Sequence, residues 1–257
     1  MRLAAAYRSV FLAPLFVAAL AISSWSSAAF GGSSALMLYF GGFGSCMVSG
    51  SLSELKAGPQ IDAFVEALKA GGYSHVTVLR SCFAIGNERL FSRFDGEWGY
   101  ESSPEEFLAE LPAVAQNAGG DVFIMGQSHG GTMAMRATVA LKNYDIKALV
   151  TFDPISIANC GAGGVTGGFF AGQPSQGCSE DPADLRPLHP KIASVTDRWI
   201  NFFQTQYYLL HSAQIDAADE NWETSYGDPN DTTINAHSRI TADEELWSYL
   251  RDELAAH

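Results

Sequence analysis

The chain has 257 residues, 47% of them hydrophobic and 17% charged, and its 28 acidic against 15 basic residues give a formal net charge of −13. This composition describes a globular protein with a sizeable core, and the length suits one large α/β domain. The acidic balance argues against nucleic acid as a partner, because phosphate binding needs clustered cations.

The start of the chain has the three parts of a secretory signal. Two arginines precede an apolar run over residues 10–22, which ends in serines and alanines. This arrangement predicts cleavage before Phe30 and a secreted or periplasmic protein, since the apolar run is short for an uncleaved anchor. We therefore expect residues 1–29 to be a signal peptide, residues 30–257 to be a single domain, and the mature chain to have no transmembrane segment.

Beyond the signal, short apolar runs alternate with helical stretches. The runs that predict buried strands are 36–40, 75–79, 121–125, 146–152 and 199–203. Helices are predicted at 52–69, 104–118, 132–143 and from a cap at Thr241 to residue 254. An aromatic-rich loop is predicted over 83–102. Apolar strands separated by helices predict an α/β fold with a mostly parallel sheet and helices on both faces.

Four cysteines in an exported chain predict disulfides. Three pairings are possible in principle. Cys46 and Cys82 each follow a predicted strand, so pairing them would join two loops at one edge of the sheet. Cys160 and Cys178 bracket a glycine-rich loop that has little helix or strand character. No C-x-x-C spacing supports a zinc site instead.

The segment Gly126-Gln127-Ser128-His129-Gly130 lies between a predicted strand and a predicted helix. The G-x-S-x-G pattern is weak by itself and gains meaning from this position. A sharp strand-to-helix turn needs small residues, because a Cβ at Gly126 or Gly130 would collide across it. Such a turn exposes Ser128 Oγ above the carboxyl end of the sheet, where ligands bind in these folds. Ser128 is therefore the predicted nucleophile.

A serine nucleophile needs a base and an acid that orients the base. His237, in a predicted loop before the last helix, is the favoured base, and His211 is the next choice. Asp153 follows the fourth predicted strand and is placed to bind an imidazole N–H. Asp216 and Asp219 remain alternatives for the acid, because they lie closer to His237 along the chain.

The glycine-rich segment after the first strand predicts part of an oxyanion hole. Its glycines let the backbone approach a substrate closely. The backbone N–H of Phe43 is the first choice of donor, with Gly42 next. The N–H of His129 would be the second donor, since it lies at a helix N-terminus.

With these motifs, the chain resembles the α/β-hydrolase family. The resemblance covers nearly the whole mature chain and depends on residues 41–44, 126–130, 152–154 and His237. The strand–Asp–Pro segment is similar to that of lipases of the pancreatic type, which favours this aspartate as the acid. The first loop has Phe40 in place of the usual His, and the strands that open the fold are missing, so the family's compact form is expected. The resemblance implies hydrolysis of an ester or thioester through an acyl-serine, without a cofactor.

The sequence thus predicts a secreted serine esterase or lipase-like hydrolase that acts on a small-molecule or lipid ester and uses no metal. An acyltransferase or thioesterase would use the same residues, and a noncatalytic binding domain could keep the same fold. Aromatic residues in the loops could line an acyl pocket or pack within their own loops. Residues 155–190 could form a lid or a surface loop.

Overall fold

The computed structural model describes residues 33–43, 52–83, 90–94, 97–156, 184–206, 211–226 and 235–255. All of them belong to one compact unit, Gly32–His257. The predicted signal peptide and three of the four cysteines (Cys46, Cys160 and Cys178) lie outside the described residues. None of the described helices is both long and apolar enough to cross a membrane.

The described strands form one sheet. In chain order they are β1 (Ser33–Phe43), β2 (Tyr73–Phe83), β3 (Leu90–Phe94), β4 (Glu97–Ser102), β5 (Asp121–Gln127), β6 (Ile146–Phe152), β7 (Trp199–Phe203) and β8 (Glu220–Glu223). Their order across the sheet is β4-β3-β2-β1-β5-β6-β7-β8. The strands from β2 across to β8 are parallel to one another, and β3 and β4 add an antiparallel edge.

Helices cover both faces of this sheet. They are α1 (Leu52–Ala70), α2 (Pro104–Ala118), α3 (His129–Ala140), α4 (His189–Ala193), α5 (Asn235–Arg239) and α6 (Glu244–Leu254). The predicted fold class is confirmed: this is an α/β fold with a mostly parallel sheet and helices on both faces.

The two faces have separate cores because side chains alternate along each strand. In β1, the odd-numbered positions pack with α1 and α6, and the even-numbered positions pack with α2 and α3. The odd-numbered residues are Ala35, Met37 and Tyr39, and the even-numbered residues are Leu36, Leu38 and Phe40. All six are at most 1% exposed. A strand buried on both faces needs a continuous apolar run, which is the pattern seen in its sequence.

Helix caps set two of the helix starts. Ser103 and Glu106 form the predicted capping box of α2, with Glu106 N–H donating to Ser103 Oγ at 3.2 Å and Ser103 N–H donating to Glu106 Oε2 at 2.8 Å. The start of α6 differs from prediction, because its N-cap is Asp243, whose carboxylate accepts from Glu245 N–H. Thr241 lies instead in a preceding 3₁₀ turn.

The prediction of a loop over 83–102 is wrong. Strands β3 and β4 pair antiparallel there, with Phe94 opposite Glu97, and β3 pairs with β2. Trp98 and Tyr100 alternate with smaller or polar residues, and the sequence Asp95-Gly96 between the strands is a typical two-residue hairpin signal. The sequence therefore contained a signal for a β-hairpin, and this signal was stronger evidence than the aromatic content that suggested a loop.

Cys82 is fully buried near the end of β2 and takes part in a disulfide bond. The other three cysteines lie outside the described residues, so the pairing stays a prediction.

Candidate active site

Ser128 lies on a strained turn between β5 and α3. Its φ of 57° and ψ of −127° fall in a region that residues with a side chain rarely adopt. Backbone hydrogen bonds fix the turn: Ser128 N–H donates to Phe152 O at 2.9 Å, and Ser128 O accepts from Gly131 N–H at 2.9 Å and Ile155 N–H at 3.0 Å. Neighbouring segments therefore impose the strained conformation.

Close packing explains the glycines on either side of the serine. A Cβ on Gly126 would lie 2.2 Å from Gly130 O, which is the predicted collision across the turn. A Cβ on Gly130 would instead lie 2.1 Å from Phe40 O, so the end of β1 limits the space there and not the turn itself. The next glycine, Gly131, packs against Pro154. The turn thus lies directly between the ends of β1 and β6.

His237 and Asp153 form a buried hydrogen-bonded pair. His237 Nδ1 lies 2.7 Å from Asp153 Oδ2, and their side chains are 5% and 0% exposed. Asp153 follows β6, the strand next to β5, and its φ of 47° makes it the other described non-glycine residue with positive φ. Both strained residues of the described chain therefore lie at the carboxyl ends of two adjacent strands.

Three N–H donors satisfy the buried Asp153 carboxylate. Besides His237, Gln204 Nε2 donates to Oδ2 at 2.8 Å, and Ser212 N–H donates to Oδ1 at 2.5 Å. No described lysine or arginine forms an ion pair with it. Burying a carboxylate is costly unless its oxygens are hydrogen-bonded, and these three donors meet that need. The carboxylate therefore accepts a hydrogen bond from a protonated Nδ1 of His237. This leaves Nε2 as the ring nitrogen that can accept a proton.

His237 Nε2 faces the residue before the serine. It lies 3.2 Å from Gln127 Nε2, and the same amide nitrogen lies 3.3 Å from His237 O. Ser128 Oγ forms no hydrogen bond within the described part of the chain, and Ser128 is 8% exposed. The structure therefore brings the predicted base and acid together and places the serine beside them without a serine–histidine hydrogen bond.

The alternative acids and base have other partners. Asp219 Oδ2 accepts from Trp199 N–H at 2.7 Å, at the amino end of β7 and thus at the opposite end of the sheet. Asp216 is exposed in a turn. His211 Nδ1 lies 2.6 Å from Ser212 O, which is a local contact. Among the predicted candidates, Asp153 and His237 are the pair in contact.

The segments predicted to supply oxyanion donors lie next to the serine. A Cβ on Gly42 would come within 2.9 Å of Ser128 Cβ, so the end of β1 contacts the turn. Phe43 is the last residue of β1 and pairs with Phe83. His129 is the first residue of α3, where backbone N–H groups have no partner within the helix. The donor roles of Phe43 and His129 stay predictions.

The His129 side chain is separate from the acid–base pair. Burial, with a smaller contribution from the charge of Arg136, lowers the pKa of His129 to about 4. Its ring packs against Phe83, with centroids 4.4 Å apart. Thus His129 is neutral at pH 7, and its backbone N–H is the only group of this residue that belongs to the predicted site.

A polar network holds the segment that carries Ser212. Buried Asn201, in the middle of β7, accepts from Thr151 Oγ1 at 2.9 Å and donates through Nδ2 to Ala213 O at 3.0 Å and to Asn221 Oδ1 at 2.9 Å. Asn221 in turn hydrogen-bonds the backbone N–H and C=O of Ile215. This network fixes the backbone beside Ser212, whose N–H binds the carboxylate of Asp153.

Sequence reasoning missed Gln127, Gln204 and Ser212. Gln204 is the residue immediately after β7, so its position at the carboxyl end of a strand was the available signal. Ser212 acts through its backbone N–H, which no residue pattern reveals. The described residues contain no group of three or more potential metal ligands.

No protein-family model matches the chain, and no curated protein matches it. Among solved structures, the chain is similar to an esterase of Pyrococcus furiosus, at 15% identity and a TM-score of 0.45, over 86% of this chain and 80% of that one. It is also similar to a monoacylglycerol lipase of Paleococcus ferrophilus, at 13% identity and a TM-score of 0.43, over 86% and 94% of the two chains. The esterase domain of a Rhodothermus marinus protein is similar at 14% identity and a TM-score of 0.42, over 86% and 88%. Likenesses this distant assign no activity to the chain.

Proposed function

We propose that the chain is a serine hydrolase that cleaves a carboxylic ester through an acyl-serine intermediate. The observation that carries the proposal is the buried Asp153–His237 pair, 2.7 Å apart, beside the strained turn of Ser128. A nucleophile on a strand-to-helix turn, an aspartate after a neighbouring strand and a histidine later in the chain are the parts that acyl transfer requires.

The proposed reaction consists of two acyl-transfer steps in which His237 Nε2 takes up and returns a proton. Ser128 Oγ attacks the acyl carbon while His237 Nε2 takes its proton, and Asp153 stabilises the resulting imidazolium. Nε2 then returns the proton to the leaving alcohol oxygen as the ester bond breaks. Water attacks the acyl-serine in the second half, losing a proton to Nε2, and the proton returns to Ser128 Oγ as the acid is released. No cofactor is needed for any of these steps.

The negative charge on the acyl oxygen needs donors near Ser128. The contact of Gly42 with Ser128 brings the end of β1 to the required place, and the helix N-terminus at His129 lies on the other side of the serine. Removing one such donor costs about 10²–10³-fold in kcat in known serine hydrolases. The backbone of Phe43 and that of His129 are our proposed donors.

We also propose that the protein acts after export. The support is the signal-like pattern of residues 1–29 in the sequence, together with the disulfide of the buried Cys82. Cys46 is the proposed partner of Cys82, and Cys160 the proposed partner of Cys178. The substrate would then be a small-molecule or lipid ester outside the cytoplasm.

A fluorophosphonate probe tests the nucleophile, because it reacts covalently only with an activated serine. We expect the wild-type protein to be labelled and Ser128→Ala not to be labelled. The matched control is Ser194→Ala, since Ser194 is exposed and bonds only its local backbone through Lys191 O. Labelling that survives in Ser128→Ala, or a folded wild-type protein that is not labelled, would contradict the proposal.

A series of p-nitrophenyl esters of increasing acyl length then defines the substrate. Hydrolysis by the wild-type protein and its loss in Ser128→Ala are the expected results. Adding an alcohol as a competing acceptor separates a hydrolase from an acyltransferase, because a transferase forms the new ester in preference to the free acid. A dominant transfer product, or turnover of thioesters alone, would replace the proposed activity with one of these alternatives.

A further inference from the structure

The side chain of Gln127 lies between the nucleophile turn and the base. Gln127 is the last residue of β5 and is 2% exposed. Its amide nitrogen lies 3.2 Å from His237 Nε2 and 3.3 Å from His237 O, across 110 residues of sequence. Asp153 holds the opposite side of the same ring through Nδ1. Gln127 and Asp153 therefore contact the two nitrogens of one imidazole.

The backbone contact fixes which way the amide faces. A carbonyl oxygen only accepts hydrogen bonds, so the group facing His237 O must be the NH₂ end of the amide. The same nitrogen faces His237 Nε2, which must then present a lone pair. Asp153 requires the matching form, because a carboxylate accepts the proton on Nδ1. Both contacts thus select the same tautomer, the one in which Nε2 can accept a proton.

The other end of the amide is enclosed as well. A Cβ on Gly42 would lie only 2.5 Å from Gln127 Oε1, so the amide fills the space against the end of β1. The carboxamide therefore touches the segment proposed to bind the oxyanion and the residue proposed as the base. The length and shape of the Gln127 side chain therefore set the distance between the end of β1 and His237.

We propose that Gln127 is a positioning residue for the base: it holds His237 Nε2 towards the nucleophile turn in the free protein and releases it to Ser128 when an ester binds. This inference rests on the proposed function. In the exchange, the Gln127 N–H leaves Nε2 and the Ser128 O–H takes its place, after which the serine proton moves to Nε2. The bond from Gln127 to His237 O remains through the exchange and keeps the ring in place.

The test is Gln127→Met, which keeps the length of the side chain and removes both N–H donors. We expect kcat on the best p-nitrophenyl ester to fall about 10- to 100-fold with KM changed less than about 2-fold, because misplacing a base by about 1 Å costs on this order. The matched control is Gln116→Met, the same change on an exposed position of α2, which should leave both constants unchanged. Unchanged or increased kcat in Gln127→Met would overturn the inference, and an increase would mean that Gln127 merely competes with Ser128.

A second readout does not depend on turnover. In nitrogen NMR spectra of protein labelled in histidine, the Nε2 resonance of His237 should move when Gln127→Met removes its donor, and Gln116→Met should leave it in place. A resonance that does not move would overturn the inference even in an active enzyme. A wild-type protein that neither reacts with the fluorophosphonate nor hydrolyses esters would instead overturn the proposed function, while the resonance would still report the contact. Should Gln127→Met not fold, Gln127→Leu carries the same test, because its side chain is uncharged and also has no N–H to offer His237.

Discussion

Charged side chains have different partners at the two ends of the parallel sheet. At the amino end, charged side chains pair with one another close to water: Lys147 bonds Asp145 at 3.0 Å and Asp197 at 3.1 Å, and Arg198 bonds Glu220 and Glu253. At the carboxyl end, the Asp153 carboxylate is fully buried and is held by N–H donors.

This difference separates charges that favour solubility and modest stabilisation from the one charge that we propose orients the base. Partly exposed ion pairs contribute little each, because water screens them and flexible side chains lose entropy. A buried carboxylate that binds an imidazole determines which ring nitrogen carries the proton. Its surroundings must therefore supply hydrogen bonds to its oxygens. The backbone strain follows the same division, since both described non-glycine residues with positive φ lie at the carboxyl end.

Asp153→Asn, at the carboxyl end of the sheet, should have the largest effect on activity. The amide keeps the shape of the side chain and removes the charge that stabilises imidazolium, so we expect kcat to fall about 10⁴-fold. Steady-state kinetics on a p-nitrophenyl ester measure this, with urea unfolding to verify the fold. Asp219→Asn is the matched control at the amino end, where the side chain still accepts from Trp199 N–H, and it should keep near-normal kcat. Near-normal activity in Asp153→Asn would remove this residue from the mechanism.

Gly130→Ala should destabilise the packing of the carboxyl end. Its Cβ would lie 2.1 Å from Phe40 O, so β1 and α3 must separate, and we expect a loss of about 1–3 kcal/mol in the free energy of unfolding. Chemical denaturation measures this loss. Gly58→Ala is the control, since a Cβ there meets nothing within 4 Å and the change should stay within about 1 kcal/mol. Equal stability of the two variants would show that the turn has room to move.

Glu220→Gln should have the smallest effect and should depend on pH. Burial acts to raise the pKa of Glu220, but hydrogen bonds from Tyr249, Trp222 and Arg198 outweigh it, so the pKa is lower than in the unfolded chain. A lowered pKa contributes stability above the unfolded value of about 4.3, and this contribution is lost as the pH falls through the folded pKa.

We therefore expect Glu220→Gln to unfold about 1 kcal/mol more easily at pH 7, with kcat unchanged. The difference from wild type should shrink as the pH is lowered below about 4, as measured by urea unfolding at several pH values. A difference that grows in acid would mean that Glu220 is not stabilised in its charged form.

Strong local patterns allowed much of the fold to be predicted from the sequence. The bounds of β6 and β7 coincide with the predicted ones, because both are largely apolar runs of strand-forming residues; β6 contains only Lys147 and Thr151 as polar residues, and β7 only Asn201. The capping box placed the start of α2. Strand β8 was missed because Glu220–Glu223 is polar and only partly buried, so it has no apolar run. Helix α3 begins at His129, three residues before the predicted start, because the glycines that follow were interpreted as part of the turn.

The site was less predictable than the fold, and the reason is distance along the chain. The positions of Ser128 and Asp153 at strand ends could be predicted because each follows a recognisable strand, and their catalytic roles stay predictions. The choice of His237 depended on chain order. That Gln127 meets His237 depends on a contact across 110 residues, and the role of Ser212 depends on a backbone N–H. Neither leaves a pattern that a single sequence reveals.

The proposed base belongs to a different part of the chain from the proposed nucleophile and acid. Ser128 and Asp153 end neighbouring central strands, whereas His237 lies on α5, after every strand described. Because a chain is synthesised from its N-terminus, a nascent chain acquires the serine and the aspartate long before the histidine. The proposed reaction therefore becomes possible only after all the described strands of the sheet have been synthesised.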